Sequence, residues 1–532
     1  MSLAPRIYVI FLVILLVFSF LIRLLGWDDP YFGFHIDRKL GTLQTITFYA
    51  RDGVDFLRPY KYWMQLGWQE YLLLELPIYQ ALSAWTSTFT ETVLSASRGV
   101  NLFFALLTLL VVFQIAAIQF CRKTATYAAL FFAFAPLNLM YHSATLPDIS
   151  AVFFVSLAYW ALAEYLKGTQ NKTIFVIFLL AGGYSVLVKP LYFLPVGVLL
   201  VTHFLQQWGR PRMKNLLNYV VRYRAVICLF VLITSVMFLW IEVQKEVNQD
   251  SINSLQFLTF SHLYDVFFYM RMLFRWFLLI LNPFTFLFFI LGVLLLFRDY
   301  RGSEQLALFY SIVAYHIIFG RIFTGHEYYL LVMVPFASVI AGRGAYWIEE
   351  RIQSDFRIRS RHALSTAIIL GSAICSVLIF SVNSIAALDL EQRTLPIEKE
   401  MHGVLEQEKY VFVYVDKTNF PTHDYVVYDR TSKLKYFAGL LSKEQIRLRS
   451  LPVRPLELLG RLKTYGDVEW TLSGTAPEVD VEKIQTRYQG HLRYLMFYRF
   501  TEEDKTQIKN RIEGYKLIYE SVNWLVYDLA SG

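Results

Sequence analysis

The sequence predicts a polytopic α-helical membrane protein of about eleven transmembrane helices, followed by an extracytoplasmic C-terminal α/β domain. Three observations carry this expectation. The 532-residue chain is 56% hydrophobic but only 17% charged. Ordinary soluble domains carry about 25% charged residues, so this balance excludes disorder and argues against a soluble protein. The apolar residues gather into runs close to the roughly 20 residues that cross a bilayer. The basic residues then fall on alternate connections between those runs, as topology requires.

The first span is expected from Ile7 to about Leu25. A secretory signal peptide is the alternative for this stretch. Against it, the run is longer than a signal core and ends in Arg23 and Trp27 with no small-residue cleavage site. Further apolar runs lie near residues 100–119, 126–142, 149–166, 173–188, 191–206, 225–242, 274–297, 305–320, 329–347 and 364–385.

With a cytoplasmic N-terminus, Arg6, Arg122, Lys123, Lys167 and Lys172 all fall on the cytoplasmic side. So do the basic groups at 210–224, 298–301 and 343–361. The segment from His142 to Asp148 has no Lys or Arg, and Lys189, Lys245 and Arg321 are the few exceptions to the pattern. The net charge of +8 is therefore a topology signal and not a nucleic-acid footprint, so no nucleic-acid partner is expected. The three cysteines, Cys121, Cys228 and Cys375, lie in or beside apolar runs and form neither a disulfide framework nor a zinc motif.

Two larger segments are left outside the membrane. Residues 1–385 are expected to form the transmembrane module, with 26–98 as its first outer loop, and 386–532 a soluble domain. In that tail, strand-like runs at Tyr410–Val415, Tyr425–Tyr428, Leu492–Tyr498 and Tyr515–Tyr527 alternate with helical stretches, and Pro421, Gly466 and Gly474 mark turns. Its Asp416, His423, Asp424 and Asp429 have no spacing that marks a second active site.

The first outer loop holds most of the candidate chemistry. Leu40–Ala50 and Tyr71–Trp85 read as helices lying at the membrane interface, with Asp37 just ahead of the first. Glu75 stands in the apolar stretch LLLELPIYQAL. A carboxylate in such surroundings is costly unless it has a partner or a task, which makes it a candidate general base. The plainer readings are a helix N-cap for Asp37 and a salt-bridge partner for Glu75. Asp148, at the start of a span, is either a dipole-compensating cap or a functional acid. Lys189 at the membrane boundary is either a snorkelling side chain or a contact for an anionic lipid headgroup. Arg321, His326 and Glu327 share a short outer loop with Tyr328 and Tyr329, a pair that also fits an aromatic belt. Acids and cations converging on one membrane face suit a substrate with an anionic head and a lipid tail.

These residues fall into an ordered pattern: His35-x-Asp37, Gln44, Glu75-x-Pro77-x-Tyr79-Gln80, Arg98 and Asn101, Pro147-Asp148, Lys189-Pro190, and the HEYYLLVMVP segment. The pattern resembles the superfamily of protein O-mannosyltransferases and lipid A aminoarabinose transferases, membrane glycosyltransferases of the GT-C type, over about residues 7–345. The resemblance implies transfer of a sugar, by a hexosyl- or pentosyltransferase, from a polyprenyl-phosphate donor to a hydroxyl of a lipid, glycan or protein acceptor, with inversion. It implies Asp37 as the catalytic acid residue of the first loop. The chain departs from the family in having Ile36-Asp37-Arg38 in place of an Asp-Glu pair, and Leu76 where the aminoarabinose enzymes have a lysine. Lys189, or Arg58 and Lys61, would then take over the donor phosphate, with Arg321 or His326 adding charge and Glu75 and Asp148 orienting sugar or cations. His35-x-Asp37 offers two ligands to a divalent cation such as Mg or Mn, fewer than a dedicated site supplies. The scarcity of cysteines and the compact tail fit a bacterial inner membrane with the site facing the periplasm. A flippase for a lipid-linked glycan is the alternative from another class, although transporters place their polar groups nearer the midplane. An assembly subunit, whose acids would tolerate neutralisation, is a third.

Overall fold

The computed structural model describes residues 5–24, 36–63, 69–71, 73–90, 92–169, 171–208, 213–248, 260–301, 303–323, 326–356 and 366–381. In the tail it describes 410–415, 425–429, 492–498, 502–512, 514–520 and 524–528. The chain divides into two compact units, the first comprising 1–29, 73–82 and 97–385, the second 30–72, 83–96 and 386–532.

The first unit is a helical membrane bundle. Its helices are α1 (Pro5–Leu24), α4 (Val93–Gln119, counting α2 and α3 below), α5 (Arg122–Ala133), α6 (Pro136–Tyr141), α7 (Asp148–Glu164), α8 (Lys172–Val188) and α9 (Leu194–Trp208). They continue with α10 (Met213–Val247), α11 (Val266–Arg275), α12 (Pro283–Asp299), α13 (Leu306–Phe323), α14 (Met333–Phe356) and α15 (Thr366–Ser381). Among the described residues, six helices are long and apolar enough to cross a membrane, or seven if the pair Val266–Ile280 and Pro283–Asp299, bent by 111°, counts as one. The protein is an integral membrane protein.

The difference from eleven uniform spans has a physical cause. Proline lacks an N–H and disfavours helix at the residue before it. Pro136 splits the run at 126–142 into α5 and α6, and Pro283 starts α12 afresh after a break within the run at 274–297. The pieces α8 and α15 remain apolar but shorter than a full span.

Packing in the bundle relies on close backbone approach. A Cβ added at Gly292 of α12 would strike the Ile340 carbonyl of α14, and one at Gly344 would strike the Phe288 carbonyl. The two contacts run in opposite sequence directions, so α12 and α14 pack antiparallel at a separation only glycine permits. At the far end of α1, the buried Arg23 guanidinium donates to the carbonyls of Ser19 at 3.1 Å and Ala133 at 3.2 Å.

The second unit contains α2 (Ile36–Asp52), a short antiparallel pair of β1 (Tyr60–Trp63) and β2 (Gln69–Tyr71), and a five-stranded sheet. α2 covers the helix expected over Leu40–Ala50, but it starts at Ile36, so Asp37 stands inside its first turn rather than ahead of it. The expected helix over Tyr71–Trp85 is corrected: Tyr71 ends β2, residues 73–76 are not helical, and α3 runs only from Ile78 to Thr86. In the tail, β3 (Tyr410–Val415), β4 (Tyr425–Asp429), β5 (Leu492–Tyr498), β6 (Lys516–Glu520) and β7 (Trp524–Asp528) form a sheet in the order β4-β3-β5-β7-β6. Only β3 and β5 are parallel. The buried Leu525 and Tyr527 alternate along β7, and α16 (Glu502–Arg511) carries the buried Ile508. The turn residues Pro421, Gly466 and Gly474 and the acids and histidine at Asp416, His423 and Asp424 lie outside the described residues.

Candidate active site

Within the first unit, the polar residues singled out from the sequence collect where α7 begins, α8 ends and α14 begins. Asp148 opens α7 and is fully buried. The loop before it is pinned by α4: Arg98 Nε donates to the Ser143 carbonyl at 3.1 Å, and Asn101 Nδ2 to the carbonyls of Leu146 at 3.1 Å and of Ala144. Arg98 and Asn101 thus hold the loop that presents Asp148.

α8 stops at Val188 because Pro190 forbids its continuation, and Lys189 takes a non-helical conformation in the break. That turn aims the Lys189 ammonium inward, 3.5 Å from Asp148 Oδ1, with both side chains almost wholly out of water. The same oxygen accepts a 2.8 Å bond from the Tyr192 hydroxyl, which also lies 3.1 Å from the Tyr328 carbonyl. Tyr192 sits in the one-turn connection between α8 and α9. Burial first, then the Asp148 carboxylate, pushes its phenol well above the ordinary value, so it stays protonated and serves as a donor. The other Asp148 oxygen, Oδ2, is buried and accepts no hydrogen bond among the described residues.

Aromatic rings complete the setting of Lys189. Its ammonium lies 4.9 Å from the ring centroid of Tyr329 and 5.4 Å from that of Tyr328, and the two rings stack on one another at 4.8 Å. These tyrosines therefore cage a cation, and Tyr328 is buried rather than standing in an aromatic belt. Beside them, Glu327 is buried and accepts a 2.7 Å bond from Tyr141. The half-buried His326 packs edge-on against both rings, at 5.6 Å and 6.3 Å. Tyr315 reaches the Tyr329 carbonyl at 3.3 Å, and Arg275 donates to the Phe323 carbonyl at the end of α13. Arg321 is exposed on the last turn of α13.

Glu75 is positioned by side chains far away in sequence. Asn248 pairs with Leu73 in both directions, accepting from its N–H at 2.9 Å and donating to its carbonyl at 3.0 Å. Gln244 donates to the Leu74 carbonyl at 2.7 Å, and Leu76 N–H donates to the Leu187 carbonyl at 2.9 Å. The last bond ties the Glu75 segment to the final turn of α8, two residues before Lys189. The buried Glu75 accepts a 2.8 Å bond from Gln80, and Tyr79 anchors the start of α3 by donating to the Ser97 carbonyl at 3.0 Å.

The remaining predicted residues belong to the second unit. Asp37, Arg38 and Gln44 lie on α2, where Arg38 is half-buried; the side chains of Asp37 and Gln44 lie outside the described residues, as does His35 entirely. Arg58 is exposed in the turn after α2, its N–H bonded to Asp55 at 3.1 Å, and Lys61 lies on β1 with its side chain outside the described residues. Among the described residues no group of three or more His, Cys, Asp or Glu is placed to hold a metal ion, and the His35 and Asp37 pair falls outside that search.

Sequence reasoning missed Tyr192, Gln244, Asn248 and Arg275. Tyr192 had a signal, since it stands in the same short break as Lys189-Pro190. Gln244 and Asn248 stand one helical turn apart at the end of α10, among Glu242, Lys245 and Glu246, a spacing that puts both on one face. Chemically, the arrangement presents an oriented ammonium paired with a carboxylate, and a phenol donor, where helix ends meet.

No family model and no curated protein sequence matches the chain. Its architecture nevertheless matches solved structures. The crystal structure of ArnT from Cupriavidus metallidurans bound to undecaprenyl phosphate aligns over 99% of this chain and 98% of its own, with a TM-score of 0.57 at 12% identity. The oligosaccharyltransferase of Archaeoglobus fulgidus, in complex with Zn and sulfate, aligns over 97% of this chain and 72% of its own, with a TM-score of 0.55 at 14% identity. The oligosaccharyltransferase AglB from Archaeoglobus fulgidus, in complex with an inhibitory peptide and a dolichol-phosphate, gives a TM-score of 0.52 at 11% identity, over 92% of this chain and 69% of its own. The chain therefore has the membrane fold of the GT-C glycosyltransferases.

Proposed function

We propose that this protein is an inverting glycosyltransferase that moves a sugar from a polyprenyl-phosphate donor to an acceptor hydroxyl of a lipid, glycan or protein. The observation that carries the reading is the Lys189 ammonium, buried against Asp148 and two tyrosine faces, in a chain with the fold of an enzyme solved with undecaprenyl phosphate. A buried, oriented cation stabilises the charge that develops on a departing phosphate better than a solvated one.

In this reading Asp37 accepts the proton of the acceptor hydroxyl as its oxygen bonds to the anomeric carbon. The carbon–oxygen bond to phosphate breaks on the opposite face, and polyprenyl phosphate leaves as an anion toward Lys189. Proton removal of this kind contributes about 10²–10⁴-fold. Tyr192 and Asp148 hold Lys189 in place, while Glu75 and Gln80 present oxygen atoms to the sugar hydroxyls. Arg321, His326 and Glu327 line the approach, Arg58 and Lys61 are the alternative contacts for the donor phosphate, and a Mg or Mn ion at His35 and Asp37 is an optional addition. The membrane is a bacterial inner membrane crossed about eleven times when the short and proline-broken helices are counted. The N-terminus is cytoplasmic, the site and the 386–532 domain are periplasmic, and the product is a cell-envelope glycan. A flippase for a lipid-linked glycan is the alternative from another class.

The test is sugar transfer by purified protein from a panel of radiolabelled polyprenyl-phosphate hexoses and pentoses. Wild-type transfer lost in folded Asp37→Asn and Lys189→Met supports the reading. Transfer retained in Asp37→Asn removes that residue as the base, and absence of transfer with a positive flipping assay replaces the enzyme by a transporter.

A further inference from the structure

The helix α11 carries the inference that goes beyond this activity. Its N-cap, Asp265, accepts from the Phe267 N–H at 2.9 Å, so the helix starts sharply. It continues through one wide turn to Ile280 and then bends by 111° into α12. α12 runs antiparallel along α14, which is long and apolar enough to span the membrane. A helix at 111° to a bilayer-crossing neighbour lies close to the membrane plane.

The side chains of α11 are sorted as that placement requires. Phe268, Met272 and Trp276, spaced by one turn, are buried in the bundle. Val266, Phe267, Met270, Leu273, Phe274 and Phe277 share a second stripe, and each is 40–72% exposed. Between the two stripes stands Arg271, also exposed and ion-paired with Asp265 at 3.0 Å. An exposed apolar stripe bordered by a charged pair fits neither water nor the middle of a bilayer. It fits the boundary between acyl chains and headgroups.

We propose that α11 is an interfacial helix lying flat in the leaflet on the site's side, with the Val266–Phe277 stripe seated among lipid acyl chains and the Arg271–Asp265 pair at headgroup level. The occupant of this surface is the bilayer itself. Its seating is relayed to the site, because Arg275, the last residue of α11, holds the Phe323 carbonyl three residues before His326. Lipid packing around α11 thereby bears on the loop that carries Glu327 and Tyr329.

The test is depth measurement in lipid vesicles of phosphatidylethanolamine and phosphatidylglycerol containing lipids brominated at different depths. Cys121, Cys228 and Cys375 are replaced by serine in the full chain, and an environment-sensitive fluorophore is attached at Phe267→Cys, Met270→Cys or Phe274→Cys. The expected result is quenching at one common shallow depth for all three. Leu287→Cys and Leu294→Cys, exposed on α12, provide the internal standard and should differ by about 10 Å, at 1.5 Å per residue. If the three α11 probes differ by about the same 10 Å, α11 is part of a span and the proposal falls. If α12 shows its gradient while the α11 probes escape quenching, protein or water covers the stripe and the proposal falls equally.

Discussion

The Lys189 ammonium and the Asp148 carboxylate stand 3.5 Å apart at the meeting ends of α8 and α7, with neither exposed to water by more than 7%. An ion pair this dry is poor evidence for stability, since desolvating two charges offsets most of their attraction. Its value lies in orientation. The pair, with Tyr192 on the same carboxylate oxygen, fixes a cation that an unpaired lysine on a membrane boundary would leave free to snorkel into water.

Breaking the pair from one side should cost far more than removing it. Lys189→Met leaves a buried carboxylate uncompensated, and Asp148→Asn leaves a buried ammonium; each is expected to destabilise by about 3–5 kcal/mol. The double variant should recover much of that loss. Thermal unfolding of the four proteins in one detergent gives the coupling directly, and strictly additive losses would show that the two charges do not interact. All three variants are expected to lose transfer activity, which separates the pair's role in the site from its role in the fold.

Tyr192 gives a pH signature. Its folded-state pKa is raised by burial and by Asp148. A raised pKa contributes stability that is complete below the unfolded value of about 10 and is lost as pH rises through the folded value. Wild type should therefore hold a constant Tm contribution from this group through neutral pH and lose it only above about pH 10. Tyr192→Phe removes the hydroxyl and should lower Tm at pH 7 by the equivalent of about 1–3 kcal/mol, with a flatter decline above pH 10. Parallel alkaline limbs in the two proteins would mean that other tyrosines carry the dependence.

Much of the site was legible because charge in an apolar setting stands out. Asp148, Lys189 and Glu75 were visible as costly residues, and Pro190 marked the break that turns Lys189 inward. Their partners were not legible. The Tyr71–Pro77 segment reads as helix by its apolar period, yet Asn248 and Gln244, some 170 residues away, capture its backbone and hold it open. Local propensity yields to such contacts because each supplies the backbone hydrogen bonds a helix would have made. The spans were legible in the same partial way: hydropathy found the apolar runs, while the exact breaks followed from prolines whose effect depends on what packs around them.

That capture is itself testable. Gln244→Ala and Asn248→Ala each remove side-chain bonds worth about 1 kcal/mol apiece and leave α10 intact. The prediction is a modest fall in Tm with a larger fall in kcat/KM, at unchanged protein yield, because the Glu75 segment loses its register against the end of α8. Protease cleavage near Leu73–Leu76 should also become faster. Unchanged kinetics with faster cleavage would separate the segment from catalysis.

The relay from α11 to the site yields the last prediction. Arg275→Met deletes the guanidinium bond to the Phe323 carbonyl while keeping a long apolar side chain in a half-buried position. The bond is charge-assisted, so its loss should cost about 1.5–3 kcal/mol locally. If Arg275 only braces the bundle, Tm falls and kcat and KM for donor and acceptor are unaltered in the folded fraction. If it fixes the loop after α13, kcat falls by about tenfold for each 1.4 kcal/mol lost from positioning, and Arg275→Lys restores part of it, because an ammonium still reaches a carbonyl but cannot form the planar fork. A kinetic loss that the lysine variant partly rescues, with a Tm close to wild type, is the expected outcome.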